Sequence, residues 1–491
     1  MLPYLGVVLG LTLAFFATRL INLTLIPIFT DEAIYLRWGQ IALGDPRWRF
    51  ISLVDGKQPL LIWLFLPALK VIADPLVAGR FVSVLAGFFG MLGMAIFSWY
   101  MVRTLKAFTI GGLMYLVIPI FLVYDRLALY DTLVTTIGIW ALFLSYLFGK
   151  TLRLDVALLL GTAIGAGLLT KSSATYFLIL LPATLLLVRW QEKNRGEQLL
   201  KWIGLSLVVF LQSQVYNNII RLSEFRHMVG EKNLQFLYSA HELLGDPFRH
   251  FWGNLNGLTS WLQAYLSWPL IIAIIVAFVW FAKKNRQSAG YFALWFAVPF
   301  FSLALFGKII YPRFLLFMVP PLLVPLGIWF GDLLTRKINR LQVYAILGIV
   351  LLPPVYFGTK VLTDPVHAPF PPADHQQFIS DWPAGYGIKE VVAYLTDTAK
   401  RGPLVVGTDG TFGLFPMSLE LYLGTNKNVV IKPYWPLDNF PEELRVYAKT
   451  QPTFLIFKEK QEVPAGWPLE LVAQYRRGEG STYLKFFRVK P

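Results

Sequence analysis

Cysteine is absent from the 491-residue chain, which excludes a disulfide framework, a thiolate nucleophile and any cysteine-ligated zinc or iron–sulfur centre. Histidine is scarce, with 5 residues, and the 29 acids are outnumbered by 44 Lys and Arg. Site chemistry therefore falls to Asp, Glu, His, Tyr, Lys and Arg. Also missing is a basic stripe interleaved with stacking aromatics, so the formal charge of +15 does not describe a nucleic-acid surface. No low-complexity tract or short-period repeat stands out. The first apolar segment has neither a basic leading region nor a small-residue cleavage site, and reads as an uncleaved helix rather than a secretory signal.

What the chain does have is apolar length. Hydrophobic residues make up 56% and aromatics 16%, and the mean hydropathy is +0.56, well above that of a water-soluble domain of this size. Apolar runs long enough to cross about 30 Å of hydrocarbon are expected at 4–27, 79–102, 107–124, 129–148, 155–170, 174–189, 200–215, 264–282, 289–306, 314–334 and 341–358. The expectation is an all-α polytopic bundle of about 11 transmembrane helices, residues 1–358, followed by an α/β domain at 359–491.

Charge orients the bundle. Arg103 and Lys106, Lys150 and Arg153, Lys193 to Lys201, Lys283 to Arg286, and Arg336, Lys337 and Arg340 occupy alternate loops. The positive-inside rule makes those loops cytoplasmic, with the N terminus inside and the tail outside. The protein is then a multi-pass protein of the plasma (inner) membrane with an extracytoplasmic C-terminal domain. That tail opens with Pro365, Pro371, Pro372 and Pro383, then alternates β-rich runs at Leu404–Val406, Val429–Ile431, Thr453–Phe457 and Thr482–Val489 with helical patterns near 387–399 and 441–449.

On the outward side, charges recur at headgroup depth. Asp31-Glu32 follows the first span, and Lys57-Gln58-Pro59-Leu60 precedes an apolar run too short to span, which suits an interfacial helix near 59–70. Arg80 opens the second span. Arg126 and Asp131 sit in the next outer turn, Lys171 follows Gly167, and Tyr311-Pro312-Arg313 precedes a proline-rich span. Taken singly, each cation equally describes a snorkelling lipid anchor. In the long outer loop, His227 and Glu231 have helical i, i+4 spacing, but no third ligand is fixed by spacing, so no metal site is assigned. Trp252, Trp261 and Trp268 read as an interfacial aromatic belt.

The order of these elements over residues 1–335 resembles the bacterial relatives of dolichyl-phosphate-mannose protein mannosyltransferases, a group that includes lipid A aminoarabinose transferases. The Asp31-Glu32 and Lys57 stretches are its most specific part. Gly56 departs from the pattern, since many relatives carry an acid directly before the lysine. The resemblance implies a GT-C fold and an inverting, membrane-bound glycosyltransferase that takes a hexose or pentose from a polyprenyl-phosphate carrier to an acceptor hydroxyl on a protein, glycolipid or polysaccharide. It also places the base on Asp31. The residues agree with that chemistry. A phosphodiester oxygen leaves without a general acid, so a carboxylate base and fixed cations for the departing phosphate suffice. Glu32 and Asp131 are the supporting acids; Lys57, Arg126, Lys171 and Arg313 are the candidate phosphate ligands. No cofactor is required by this chemistry, and a divalent metal is an option without an assigned ligand set. A lipid-linked-sugar flippase or transporter is the alternative, favoured by mid-membrane charge pairs and matching halves, neither of which the sequence displays.

Overall fold

The structure is a computed structural model, and it describes residues 2–190, 192–246, 248–336 and 339–491. Lys337, one of the expected cytoplasmic basics, lies outside the described residues. In chain order the helices are α1 Leu2–Leu20, α2 Thr30–Gly44, α3 Leu60–Val71, α4 Pro75–Val102, α5 Leu105–Val117, α6 Pro119–Asp125, α7 Tyr130–Thr151, α8 Leu154–Leu168 and α9 Thr175–Ile179. They continue with α10 Arg195–Asn217, α11 Met228–Phe236, α12 Ala240–Gly245, α13 Phe251–Leu266, α14 Trp268–Lys284, α15 Arg286–Phe306, α16 Pro320–Thr335 and α17 Arg340–Thr363.

Each expected span falls on a helix or a helix pair, but their lengths differ from a uniform set of crossings. Among the described residues five helices are long and apolar enough to cross a membrane, and up to eight if each of three bent pairs counts once. The bent pairs are α5 with α6 at 64°, α13 with α14 at 99°, and Pro312–Met318 with α16 at 49°. Proline explains where two of them break. Pro119 and Pro320 stand at the first helical position, where the missing N–H costs nothing but the preceding helix cannot be continued. At the third, Ser267 has φ +63 directly before Trp268-Pro269. The expected spans at 4–27, 155–170 and 174–189 are shorter helical segments, Tyr4–Leu20, Leu154–Leu168 and Ser172–Leu187. The interfacial run is a helix, α3, of 12 residues.

The chain divides into two compact units. The first comprises Met1–Ile21, Arg49–Leu64 and Phe81–Leu362; the second comprises Asn22–Trp48, Phe65–Arg80 and Thr363–Pro491. The first unit is a helical bundle, and Arg19 and Asp125 form a deeply buried ion pair in its interior. Arg19 donates through Nε to Asp125 Oδ2 at 3.3 Å and through Nη1 to the Leu116 carbonyl at 2.7 Å, while the Tyr115 hydroxyl donates to Asp125 Oδ1 at 3.0 Å. A charge in this setting persists only because each side is paired and hydrogen-bonded.

The second unit contains a sheet of order β2-β1-β3-β5-β4, with β1 Leu404–Asp409, β2 Val429–Tyr434, β3 Thr453–Phe457, β4 Leu469–Arg476 and β5 Tyr483–Val489. β1 runs parallel to β2 and β3, and β5 runs antiparallel to β3 and β4. β1 and β3 are buried along their whole length, as parallel strands covered on both faces must be. After α18 (Pro372–His375), α19 (Ile388–Ala399) lays Tyr394 against Phe454 and Phe486 on one face. On the other, Leu444 of α21 (Glu442–Ala448) joins Val405, Leu455 and Phe457. α20 (Leu414–Leu423) crosses from β1 to β2 and packs on α2.

That last contact explains why residues 22–48 belong to this unit rather than to the bundle. Arg37 Nε donates to Glu420 Oε2 at 2.9 Å, and Gln40 Nε2 to the Leu421 carbonyl at 2.9 Å. The backbone of Thr30 donates to the Pro383 carbonyl at 3.1 Å, Gly385 donates to the Ile28 carbonyl at 2.8 Å, and Phe29 forms a β-bridge with Ala384.

Candidate functional site

Within the bundle unit, three of the four candidate phosphate ligands collect around one set of aromatic rings. The Lys57 Nζ lies 5.3 Å from the centre of the Phe236 ring, the Lys171 Nζ lies 4.5 Å from that of Phe314, and the Arg313 guanidinium carbon lies 4.6 Å from that of Tyr311. Phe236 and Phe314 are 6.3 Å apart, and Phe314 and Tyr311 5.8 Å, each pair edge to face. Ring faces attract cations without neutralising them, so this layer concentrates positive charge.

Local chain geometry brings these residues together. Gln58 Nε2 donates to Ser172 Oγ at 2.8 Å and Leu60 N to the Leu169 carbonyl at 3.0 Å, which fixes Lys57 and Lys171 one residue away on each side. The loop after α11 is tied to the end of α15 by Tyr238 N to the Phe306 carbonyl and Lys308 N to the Phe236 carbonyl, both at 2.8 Å. Lys171 also donates to Asp131 Oδ1 at 2.6 Å, with the lysine side chain 25% exposed and the carboxylate 6%. Asp131 occupies the first turn of α7, where the backbone dipole favours an anion.

Two further cations join this layer: Lys308, which the sequence places on the outward side with Arg313, and Lys232, which escaped the sequence reading. Lys232 donates to Asp55 Oδ1 at 2.7 Å and lies 6.0 Å from the Phe236 ring centre. Lys308 pairs with Glu242 at 2.7 Å and lies 5.1 Å from the Tyr238 ring. That pairing, with the Ser239 backbone N–H, holds the Glu242 carboxyl down to about 2. Lys232 stands at no spacing that marks it in sequence, and its place depends on α11 packing on the loop that carries Asp55.

Gly56, the departure from the family pattern, has a structural cause. Its φ is +66, and a Cβ there would come within 2.6 Å of the Lys232 Cβ. An acid at this position meets both a left-handed backbone and a filled space. The carboxylate nearest in sequence, Asp55, is the one that Lys232 holds.

Arg126 is placed differently from the other three. It is 2% exposed, and its Nη1 donates to the carbonyls of Thr18, Arg19 and Ile21 at 3.0, 2.9 and 2.7 Å. That nitrogen caps the C-terminal end of α1, whose last carbonyls have no helical partner. The expectation of an outward cation beside water does not hold for this side chain. His227, in the same unit, has its Nδ1 3.0 Å from the Glu224 carbonyl.

The acid pair belongs to the second unit, and its two members have different surroundings. Glu32 is fully buried. Its Oε1 accepts from Arg80 Nε at 2.8 Å, and its Oε2 accepts from Arg80 Nη2 at 2.7 Å and from the Phe29 backbone at 3.0 Å. Arg80 also donates to the carbonyls of Leu23, Ile26 and Pro27. This bidentate clamp fixes the chain that leads into α2. Asp31, one residue earlier on the first turn of α2, is half-buried.

No family model matches the sequence, and no curated protein matches it. Two solved structures of ArnT from Cupriavidus metallidurans do match the fold. The apo state aligns with a TM-score of 0.59 and the form bound to undecaprenyl phosphate with 0.60, each at 13% identity and covering 99% of this chain and 97% of that one. The chain therefore has the fold of ArnT over nearly its whole length, the fold that the resemblance implied.

Proposed function

We propose that this protein transfers a sugar from a polyprenyl-phosphate donor to an acceptor hydroxyl at the non-cytoplasmic membrane face, with inversion. The observation that carries the reading is the convergence of Lys57, Lys171 and Arg313 on the Phe236, Phe314 and Tyr311 rings. A phosphate on an apolar tail asks for fixed cations set among apolar walls. ArnT, a GT-C-fold lipid-linked-sugar transferase, supports the choice of donor, since one of its structures holds undecaprenyl phosphate.

In the proposed step, the acceptor hydroxyl gives its proton to the Asp31 carboxylate as its oxygen bonds to the anomeric carbon. The bond from that carbon to the phosphate oxygen breaks, and the polyprenyl phosphate departs with the electron pair. Lys57, Lys171 and Arg313 stabilise the charge that develops on it. Asp131 holds the Lys171 ammonium in place. Arg126 acts through α1, by tying its end, and Glu32 acts through Asp31, by fixing the turn on which it stands.

The test is release of labelled sugar from a polyprenyl-phosphate donor by the purified full chain in bilayer discs, with and without acceptor. No donor consumption under either condition would remove the reading. Orientation is tested by cysteine labelling: single cysteines at 55 and 375 should react from outside, and those at 194 and 285 only after the inner face is opened. The reverse pattern would place the cation layer on the cytoplasmic side and defeat the assignment.

A further inference from the structure

A second group of cations stands at the other end of the bundle unit, where the proposed transfer step has no use for charge. α7 carries Asp131 in its first turn and Lys150 in its last, and a helical rise of about 1.5 Å per residue puts the two about 30 Å apart. In the orientation that the basic loops imply, Lys150 is at the cytoplasmic surface.

Two tyrosines organise the group. The rings of Tyr100 and Tyr146 meet edge to face at 6.4 Å. The Lys150 ammonium lies 5.7 Å from the centre of the Tyr146 ring, and the Arg103 guanidinium carbon lies 4.6 Å from the centres of both Trp99 and Tyr100. Arg103 reaches that position because it follows α4 with φ +59, a left-handed backbone uncommon outside glycine, so that its side chain returns over the last helical turn. The third cation arrives from a different element. Gly149 leaves room on α7 for the segment Leu181–Leu187, since a Cβ there would come within 2.7 Å of the Thr184 carbonyl oxygen. Arg189 follows that segment, and its charge acts on both the Lys150 ammonium and the Tyr146 hydroxyl. That hydroxyl is 2.9 Å from Ser288 Oγ in the first turn of α15, so the positive end of a helix dipole faces the same place.

No acid answers these charges. Among the described residues no carboxylate comes within ion-pair distance of Arg103, Lys150 or Arg189, and the one charge that acts on the half-buried Lys150 is another cation. The acid nearest to Lys150 in sequence, Asp155, is held by Arg153 at 2.6 Å. Cations that only mark a cytoplasmic loop can stand apart in water. Here like charges are drawn together over rings, an arrangement that a bound anion stabilises.

Two features define the anion. The cations are spread along a pair of rings rather than gathered at a point, which suits two anionic groups on one headgroup better than one compact ion. The flank is also apolar. Trp202 Nε1 donates to Thr184 Oγ1 at 2.9 Å and docks α10 beside the same segment, where Leu186, Trp190, Leu200 and Ile203 are exposed. Acyl chains need such a flank, and soluble anions do not. Basic pockets between membrane helices on the cytoplasmic side suit lipids that carry several phosphate charges.

We propose that Arg103, Lys150 and Arg189, set on the Tyr100 and Tyr146 rings, form a binding site for an anionic lipid of the cytoplasmic leaflet whose headgroup carries two phosphates. The site stands apart from the transferase reading, because its lipid is bound and not consumed.

The experiment measures lipid retained by the purified full chain in neutral detergent, by native mass spectrometry. The probes are diphosphatidylglycerol, phosphatidylglycerol, phosphatidylcholine and pyrophosphate. Diphosphatidylglycerol should bind about five-fold or more tightly than phosphatidylglycerol, and far more tightly than the other two. Each of Arg103→Gln, Lys150→Gln and Arg189→Gln should weaken its binding about five-fold, the worth of one cation near an anionic lipid, and Arg189→Lys should keep most of it. Melting separates this role from a structural one. Without anionic lipid, Lys150→Gln and Arg189→Gln should melt no lower than the unmodified chain, because each removes a repulsion. Added diphosphatidylglycerol should raise the melting temperature of the unmodified chain and leave that of the double variant unchanged. Lys57→Ala, which weakens phosphate capture in the outward layer, should keep the lipid preference. No preference over phosphatidylglycerol or phosphatidylcholine, pyrophosphate bound as tightly as the lipid, or an unchanged preference in the double variant overturns the inference. A preference lost in Lys57→Ala and kept in the double variant overturns it as well, by assigning the lipid to the outward layer.

Discussion

The chain leading into α2 and the layer around Phe236 both looked, in sequence, like runs of charge at headgroup depth, yet they solve opposite problems. Around α2, Arg80 spends its guanidinium on the Glu32 carboxylate and three backbone carbonyls, and both partners are removed from water. Around Phe236, the cations of Lys57, Lys171, Lys232 and Arg313 rest over rings and remain partly exposed. The first arrangement uses charge to fix a backbone. The second keeps charge where a ligand can meet it. A charged residue at a membrane boundary is thus classified by what its polar atoms touch, which residue type and depth do not reveal.

The sharpest way to test the contrast is at adjacent positions. Asp31→Asn keeps volume and hydrogen bonding but cannot take a proton, so transfer should fall by about 10² to 10⁴ while expression and melting are unchanged. Near-normal transfer would end the assignment of the base. Its neighbour should fail by another route. Glu32→Gln or Arg80→Met breaks a buried pair, for which a loss of about 3–5 kcal/mol is expected, read as lower yield and a lower melting temperature. If folded Glu32→Gln protein melts normally yet has lost transfer, the division between fixing and reacting charges is wrong.

In the aromatic layer, Lys57→Ala and Lys171→Ala should each raise the donor KM roughly ten- to a hundred-fold, the range of a charge-assisted hydrogen bond, with little change in melting. Arg126→Ala should do the reverse, lowering stability through the loosened end of α1 more than it raises KM. A normal donor KM in both lysine variants would reduce the layer to a lipid anchor.

The smallest effect is expected in the tail. Burial raises the Asp409 carboxyl to about 6, above the value of about 3.9 expected in the unfolded chain. The folded state thus holds a proton that the unfolded state releases earlier. Stability from this group is full below the unfolded value and is lost as pH rises through the folded one. The melting temperature of the full chain should therefore decline by a few degrees between about pH 4 and 6, and Asp409→Asn should flatten that slope.

Hydrophobic length and the alternation of basic loops made the helical bundle legible, because each span satisfies its own backbone and announces itself locally. In the tail, β1, β2, β3, β5, α19 and α21 coincide with runs read from composition. β4 does not, because as an edge strand paired only with β5 it exposes Glu470, Leu471, Gln474 and Arg476, and that mixed order breaks the alternation of apolar and polar residues that marks a strand. α20 hides for the opposite reason, as a short apolar stretch with Pro416 inside it. The site was legible as a set of residues and not as a grouping. Lys57, Lys171 and Arg313 meet through a Gln58–Ser172 bond and a folded-back α11 that no spacing encodes, and the burial of Arg126 and Glu32 follows from partners 105 and 48 residues away.

The backbone stitching between residues 236–238 and 306–308 bears on kinetics as well as geometry. Because Phe236 and Tyr238 are joined to the end of α15 before any ligand arrives, the rings that seat the cations need not be ordered during binding. The entropy of assembling that surface was spent in folding. Loosening the stitch while leaving every cation in the sequence should therefore shorten the residence time of a lipid phosphate more than it slows its capture.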